Sequence, residues 1–211
     1  HGVVGDEFDT RLAVSGNVIV ADLDAQSCVV FQHDPATGTW SEVVVLDPPR
    51  PPGYNFRAYS LATDGRTILF AGLVENYVLG NHCSCVFAYE RDQSGQWGMV
   101  QTISSGEIDD LGLTMDMDRG VAIMASVPGP NLTLRYDVFR RDDDIGIWVS
   151  EGLLPLPSAP LASPHWITRW VAVDGDIAVV GDRQLDQSTS SLSLIHISEP
   201  TRLRRISYAV F

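Results

Sequence analysis

Four segments of the chain repeat one pattern, and a repeat of this kind restricts the fold more than any composition can. They cover residues 12–21, 61–71, 115–125 and 171–181. Each joins two short apolar stretches through a tight polar turn: Ser15-Gly16-Asn17, Asp64-Gly65-Arg66, Asp118-Arg119-Gly120 and Asp174-Gly175-Asp176. Gly and Asn in such turns suit the positive φ angles of short hairpins. Aligning Ser15, Asp64, Asp118 and Asp174 gives spacings of 49, 54 and 56 residues. A second pattern follows the first three segments. It runs Val29-Val30-Phe31, a tip over residues 34–38, then Trp40; Val86-Phe87, a tip over 92–95, then Trp97; and Asp137-Val138-Phe139, a tip over 142–146, then Trp148. The Phe spacings are 56 and 52, and the Trp spacings 57 and 51.

One unit is therefore two hairpins, or four antiparallel strands, with hardly any 3.6-residue periodicity. A four-stranded unit recurring every roughly 40–50 residues is a β-propeller blade. The chain is expected to be all-β: a partial β-propeller of three four-stranded blades, over about residues 5–47, 55–104 and 110–154, plus the first hairpin of a fourth over 165–191. The Pro-rich stretches 47–53 and 155–164 read as inter-blade loops, because a flexible linker would not keep the repeat in phase. Closed rings hold about 4–8 blades, so the chain reads as an arc completed by remaining blades of the same chain. Its end blades would expose edges and apolar faces, and residues 1–191 alone are expected to aggregate or fold poorly.

The last twenty residues break the pattern. Residues 192–202 read LSLIHISEPTR and residues 206–211 read ISYAVF. Both match in-frame translation of a transposase-type sequencing-library adapter and the flow-cell primer that follows it. Residues 192–211 are accordingly expected to be a non-native, adapter-derived tail, and such segments are excluded from fold reasoning. Without them the basic count falls from 14 to 11, as Arg202, Arg204 and Arg205 go, and the acidic count from 27 to 26, as Glu199 goes. The net charge moves from −13 to −15. The true C-terminus then lies beyond residue 191. His1 in place of Met reads in the same way, as a processed chain or a fragment.

Strong negative charge disfavours nucleic acid and anionic membrane surfaces as partners. No run of roughly 18 apolar residues is present, and no signal peptide opens the sequence, so no membrane insertion is expected. Every basic residue is Arg; Lys is absent. That fits the codon bias of a GC-rich genome and has no folding explanation.

The residues also resemble a family. Gly5-Asp6-Glu7-Phe8-Asp9 precedes the first hairpin, and Asp109-Asp110-Leu111-Gly112 precedes the third. Phe8-Asp9 and Leu111-Gly112 each keep half of a Phe-Gly motif, and Ala71-Gly72 and Val180-Gly181 stand where Gly-Ala would follow. In this the chain resembles FG-GAP-type propeller repeats, such as those of integrin α-chain heads. The resemblance covers residues 5 to about 182 and implies an extracellular or cell-surface interaction module. Calcium-binding members carry an Asp-rich loop in the first hairpin. Calcium takes roughly 6–8 oxygens, and the turns here are too short to supply them. No calcium and no other cofactor is expected.

Catalytic signatures are missing. No Gly-x-Ser-x-Gly, His-Glu-x-x-His or phosphate-binding glycine loop occurs. The tips miss the spacing of a sialidase Asp-box, and read as hairpin tips with a packing Trp. Arg57, Arg66, Arg119 and Arg135 are scattered, Tyr59 and Tyr89 lack an obvious carboxylate partner, and His33, His82 and His165 read as surface residues. Cys28, Cys83 and Cys85 read as small buried residues, with a bridge from Cys28 to Cys83 or Cys85 as the other reading; Cys83-x-Cys85 is too close for a zinc knuckle. Asn131-Leu132-Thr133 is an N-glycosylation sequon, making Asn131 a candidate modification site.

Functional loops on a rigid scaffold vary in length. Residues 72–84 form the longest candidate loop, and Tyr77, Asn81 and His82 are its candidate contact residues. The expected function is an interaction or adhesion module, not an enzyme, that displays loops on one face to a protein or glycan ligand. Two alternatives stand beside it: a fragment of a propeller enzyme, a glycan hydrolase or lyase with its catalytic residues in missing blades, and a structural scaffold of a larger ectodomain.

Overall fold

The computed structural model describes residues 11–104, 110–127, 135–154, 167–175, 177–184, 190–196 and 207–210. They are all-β, with no helix among them. The first sheet holds β1 (Leu12–Ser15), β2 (Val18–Leu23), β3 (Ser27–Asp34) and β4 (Thr39–Leu46). The second holds β5 (Asn55–Thr63), β6 (Thr67–Asn76), β7 (Asn81–Arg91) and β8 (Trp97–Ser104). The third holds β9 (Asp110–Asp118), β10 (Val121–Val127), β11 (Arg135–Asp142) and β12 (Ile147–Leu153). The fourth is built on the expected hairpin of β13 (Ile167–Asp174) and β14 (Ile177–Gln184), with β15 (Ser190–His196) and β16 (Ser207–Val210) paired beyond it. Every sheet is an antiparallel meander in chain order. Much of β15 and all of β16 come from residues 192–211. β15 pairs with the free edge of β14, and β16 pairs with β15. The Gly5–Asp9 half-motif and the Asn131 sequon lie outside the described residues.

The chain forms two compact units, residues 1–106 and 107–211, each containing two sheets. In the first, β-branched and aromatic residues alternate along the strands and bury one face between the sheets. Val18, Val20, Cys28, Val30, Phe56, Ile68, Phe70, Cys85, Phe87 and Tyr89 form this core. Phe56 meets Phe70 and Phe87 edge-on, at centroid distances of 5.0 and 5.7 Å, the arrangement that ring quadrupoles favour. In the second unit Val121, Ile123, Ala125, Tyr136, Val138, Val173, Ala178 and Val180 play the same part.

The turns explain the repeat. Ser15 pairs with Val18, Asp118 with Val121 and Asp174 with Ile177, leaving two-residue turns. Arg119 and Gly120 have φ of 47° and 74°, as a type I′ turn requires. The second hairpins share a device of another kind. Asp34 Oδ1 accepts the Ala36 N–H at 2.8 Å, Asp92 Oδ1 accepts those of Ser94 and Gln96 at 2.8 and 2.9 Å, and Asp142 Oδ1 accepts those of Asp144 and Ile145 at 3.0 and 3.3 Å. Each Asp thus closes its own tip.

The register aligns the three blades residue by residue. Trp40, Trp97 and Trp148 lie opposite His33, Arg91 and Arg141 at equivalent positions. Each third–fourth strand pair carries a bulge at the same place, between Val30 and Phe31, Ala88 and Tyr89, and Val138 and Phe139. This corrects the aromatic alignment. The counterpart of Phe31 and Phe139 is Tyr89, opposite Ile68, and not Phe87, because the tip of the second blade is shorter.

Candidate functional site: the β6–β7 hairpin

Residues 72–84 are not a loop. β6 continues to Asn76 and β7 starts at Asn81, so only four residues turn. The matching hairpin of the first sheet ends with β2 at Leu23, whose register equivalent in β6 is Gly72. The β6 arm therefore runs four residues further, ~13 Å at 3.3 Å per residue. Sequence composition missed this because Glu75, Asn76 and Asn81 are poor strand formers; cross-strand pairing with β5, which reaches Glu75, overrides that preference.

The tip is tightly made. Asn76 Oδ1 accepts the N–H groups of Val78 and Leu79, both at 3.0 Å, and the Asn76 carbonyl accepts the Gly80 N–H at 2.9 Å. Gly80 turns the chain with φ of 69°, a conformation that costs glycine little. This frame holds Tyr77, Val78 and Leu79 out to solvent, at 72, 93 and 64% exposure. The Tyr77 hydroxyl donates to Glu75, which holds the phenol above its usual pKa. Asn81 pairs with Asn76 and His82 with Glu75 across the hairpin, and both are exposed. The three expected contact residues thus share one hairpin end, but two apolar side chains that sequence reasoning passed over, Val78 and Leu79, dominate it.

The other candidate residues do not converge. Arg57 lies over the Tyr59 ring at 6.0 Å. Arg119 pairs with Asp118 at 2.8 Å, and Arg135 with Asp137 at 3.1 Å. Tyr89 is buried, and desolvation pushes its hydroxyl well above the usual range. His33 packs on Trp40 at 5.1 Å, and His165 lies outside the described residues. No group of three His, Cys, Asp or Glu side chains among the described residues is placed to hold a metal. All three cysteines are free thiols, so the alternative of a bridge from Cys28 is not seen. Cys28 and Cys85 are buried as expected, Cys83 is exposed, and Cys83 and Cys85 face each other at 3.5 Å.

No protein-family model and no curated protein matches the sequence. Among solved structures, the chain is similar to a provisionally assigned 6-phosphogluconolactonase from Bacteroides fragilis, at 12% identity and a TM-score of 0.33, over 94% of this chain and 72% of that one. It is also similar to the GH43 endo-arabinanase from Bacillus licheniformis, at 15% identity and a TM-score of 0.44, over 91% and 72%. These likenesses concern the propeller-type fold. They also correct one expectation. The expectation that the chain is not an enzyme does not stand, since both of these structures are described as enzymes. The absence of familiar motifs is no ground for excluding catalysis, because propeller active sites gather residues from blades far apart in sequence.

Proposed function

We propose that this chain is part of an FG-GAP-type β-propeller at the cell surface, and that it binds a protein partner through the β6–β7 hairpin. The observation that carries the reading is the rigid, solvent-facing Tyr77-Val78-Leu79 tip. Consecutive exposed large apolar residues are uncommon on a folded surface and mark contact sites. The Asn76 cap lowers the ordering cost of binding. Val78 and Leu79 offer no side-chain hydrogen bonds to a glycan, so an apolar groove on a protein fits them better. Leu111-Gly112 and the Asn131 sequon support the family and location parts of the proposal. Residues 192–211 belong to the adapter-derived tail in the same reading.

The test is selection of random displayed peptides on the full chain, followed by binding of the winners to a variant carrying Tyr77→Ser, Val78→Ser and Leu79→Ser. Binding at least tenfold weaker with an unchanged melting temperature is expected. Equal binding to both proteins removes the hairpin from the proposal.

A second reading keeps catalysis. In it the chain is part of a propeller enzyme, a glycan hydrolase or lyase, with its catalytic residues in further blades of the same protein. The enzymes of similar fold motivate it, while their low identity assigns no reaction. Release of reducing ends from arabinan and other polysaccharides by the protein encoded by the complete transcript tests it; no release from any of them overturns it.

A further inference from the structure

We infer that Cys83 and Cys85 are an oxidisable dithiol that closes into a local disulfide, with Cys83 reacting first and Cys85 resolving. The two residues stand at i and i+2 on β7, so their side chains share one face of the strand. Their sulfurs are 3.5 Å apart, against about 2.05 Å in a disulfide. Two residues of extended strand span about 6.6–6.8 Å, at the upper end of the roughly 4.4–6.8 Å between α-carbons that a disulfide bridges. A disulfide also brings the β-carbons to roughly 3.5–4.5 Å, so closure requires β7 to pucker locally at these two residues. Among the described residues its pairing with β8 begins at Cys85, while residues 81–84 pair with β6. Gly72 lies opposite Cys85 across the ladder, and the Phe56 ring fills the space that a side chain there would take.

The two thiols differ in a way that orders the steps. Cys83 is exposed and Cys85 buried. Burial first, and then the hydrogen bond and charge of Cys83, push the Cys85 thiol up to about 12. A thiol held in that form is a poor first nucleophile. Hydrogen peroxide is the oxidant. The Cys83 thiolate attacks one peroxide oxygen; the S–O bond forms, the O–O bond breaks, and the departing hydroxide takes a proton to become water. The Cys85 sulfur then attacks the Cys83 sulfur. The S–S bond forms, the S–O bond breaks, and a second water leaves with the Cys85 proton. Two thiols are oxidised by two electrons and one peroxide is reduced to two waters.

The pair sits at the base of the projecting hairpin, so its closure would alter the strand beneath Tyr77–Leu79; that consequence rests on the binding reading, and the chemistry does not. The full chain is treated with one equivalent of peroxide under native conditions, then denatured, alkylated and mapped by mass. Loss of two hydrogens, a Cys83–Cys85 cross-linked peptide and alkylation of Cys28 alone are expected. The variant Cys83→Ser should lose no hydrogens and should alkylate at both remaining thiols. Sulfinic or sulfonic acid at Cys83 with Cys85 free, a link through Cys28, or an intermolecular dimer would each overturn the inference. Peptide binding at the tip is read separately, so either proposal can fail alone.

Discussion

Asp116 Oδ2 accepts the backbone N–H of Val173 at 2.7 Å, joining β9 to the neighbouring β13. Two residues along, Asp118 Oδ2 accepts the Gly175 N–H at 2.8 Å. β13 is the first strand of its sheet and, among the described residues, pairs with β14 alone. Its outward N–H groups would otherwise lack ladder partners, and the two carboxylates, on one face of β9 at i and i+2, supply them. In the first unit the edge of β5 is met similarly: the Ala25 carbonyl accepts the Ala58 N–H at 2.9 Å and Arg11 Nε donates to the Tyr59 carbonyl at 2.8 Å.

Asp116→Ala should therefore loosen the two sheets of the second unit. The loss expected is about 1–3 kcal/mol, the cost of a lost charge-assisted bond and an unsatisfied N–H. Asp116→Asn keeps an acceptor and should lose less. Denaturant unfolding of the full chain, followed by hydrogen exchange at Val173, distinguishes them. Equal stability of the Ala and Asn variants would show that the clip is not what holds β13.

Gly72 should not tolerate a methyl group. A Cβ there would lie 2.4 Å from the Phe56 ring and 2.5 Å from the Arg57 carbonyl. Relief requires moving the ring that Phe70 and Phe87 pack against, or the β5 backbone itself. Gly72→Ala should cost about 1–3 kcal/mol, as overpacking of a filled core does. Chemical denaturation measures it. Gly98, with open space around its Cβ position, is the control, and Gly98→Ala should be close to neutral.

The hairpin tips should weaken in acid. Backbone and side-chain donors, the Ala36 N–H foremost at Asp34 and the Ser94 hydroxyl foremost at Asp92, hold both carboxyls below the usual range. A folded pKa below the unfolded one contributes stability above the unfolded value, and that contribution disappears as pH falls through the folded one. Asn also closes such turns but does not titrate in this range. Asp34→Asn and Asp92→Asn together should flatten the loss of stability on acidification, because the stability that the ionised carboxylates contribute at pH 7 goes with them. An unchanged acid slope in urea titrations would show that the tips do not contribute to it.

The proposed tail is checked on nucleic acid. Long reads of the transcript, prepared without library adapter, should continue past codon 191 into further units of about 50 residues, with 192–211 absent. Reads that retain 192–211 would make β15 and β16 native strands of the fourth sheet.

Much of the architecture was legible because local signals agree with one another. Turn residues at Gly16, Gly65, Gly120 and Gly175 recur in phase with apolar runs of strand length, and the three Trp residues keep their places opposite His33, Arg91 and Arg141. The candidate site was legible only in part. Tyr77, Asn81 and His82 stood out as polar or aromatic residues, but their segment read as a loop because its strand character comes from β5 alongside. The closeness of Cys83 and Cys85 follows from the two-residue period of a strand, and it could be recognised only once residues 81–85 were known to be strand.

By itself the sequence determined the four-stranded units and the turns within them, because those depend on φ preferences and two-residue periodicity close along the chain. The tertiary structure decided what depends on neighbours far along it: the bulges that make Tyr89 the counterpart of Phe31, the carboxylates that cap the edge of β13, and the length of the hairpin that carries Val78 and Leu79 into solvent. Register and edge pairing are set by backbone hydrogen bonds between strands, and those bonds carry little trace in the side chains of either strand alone.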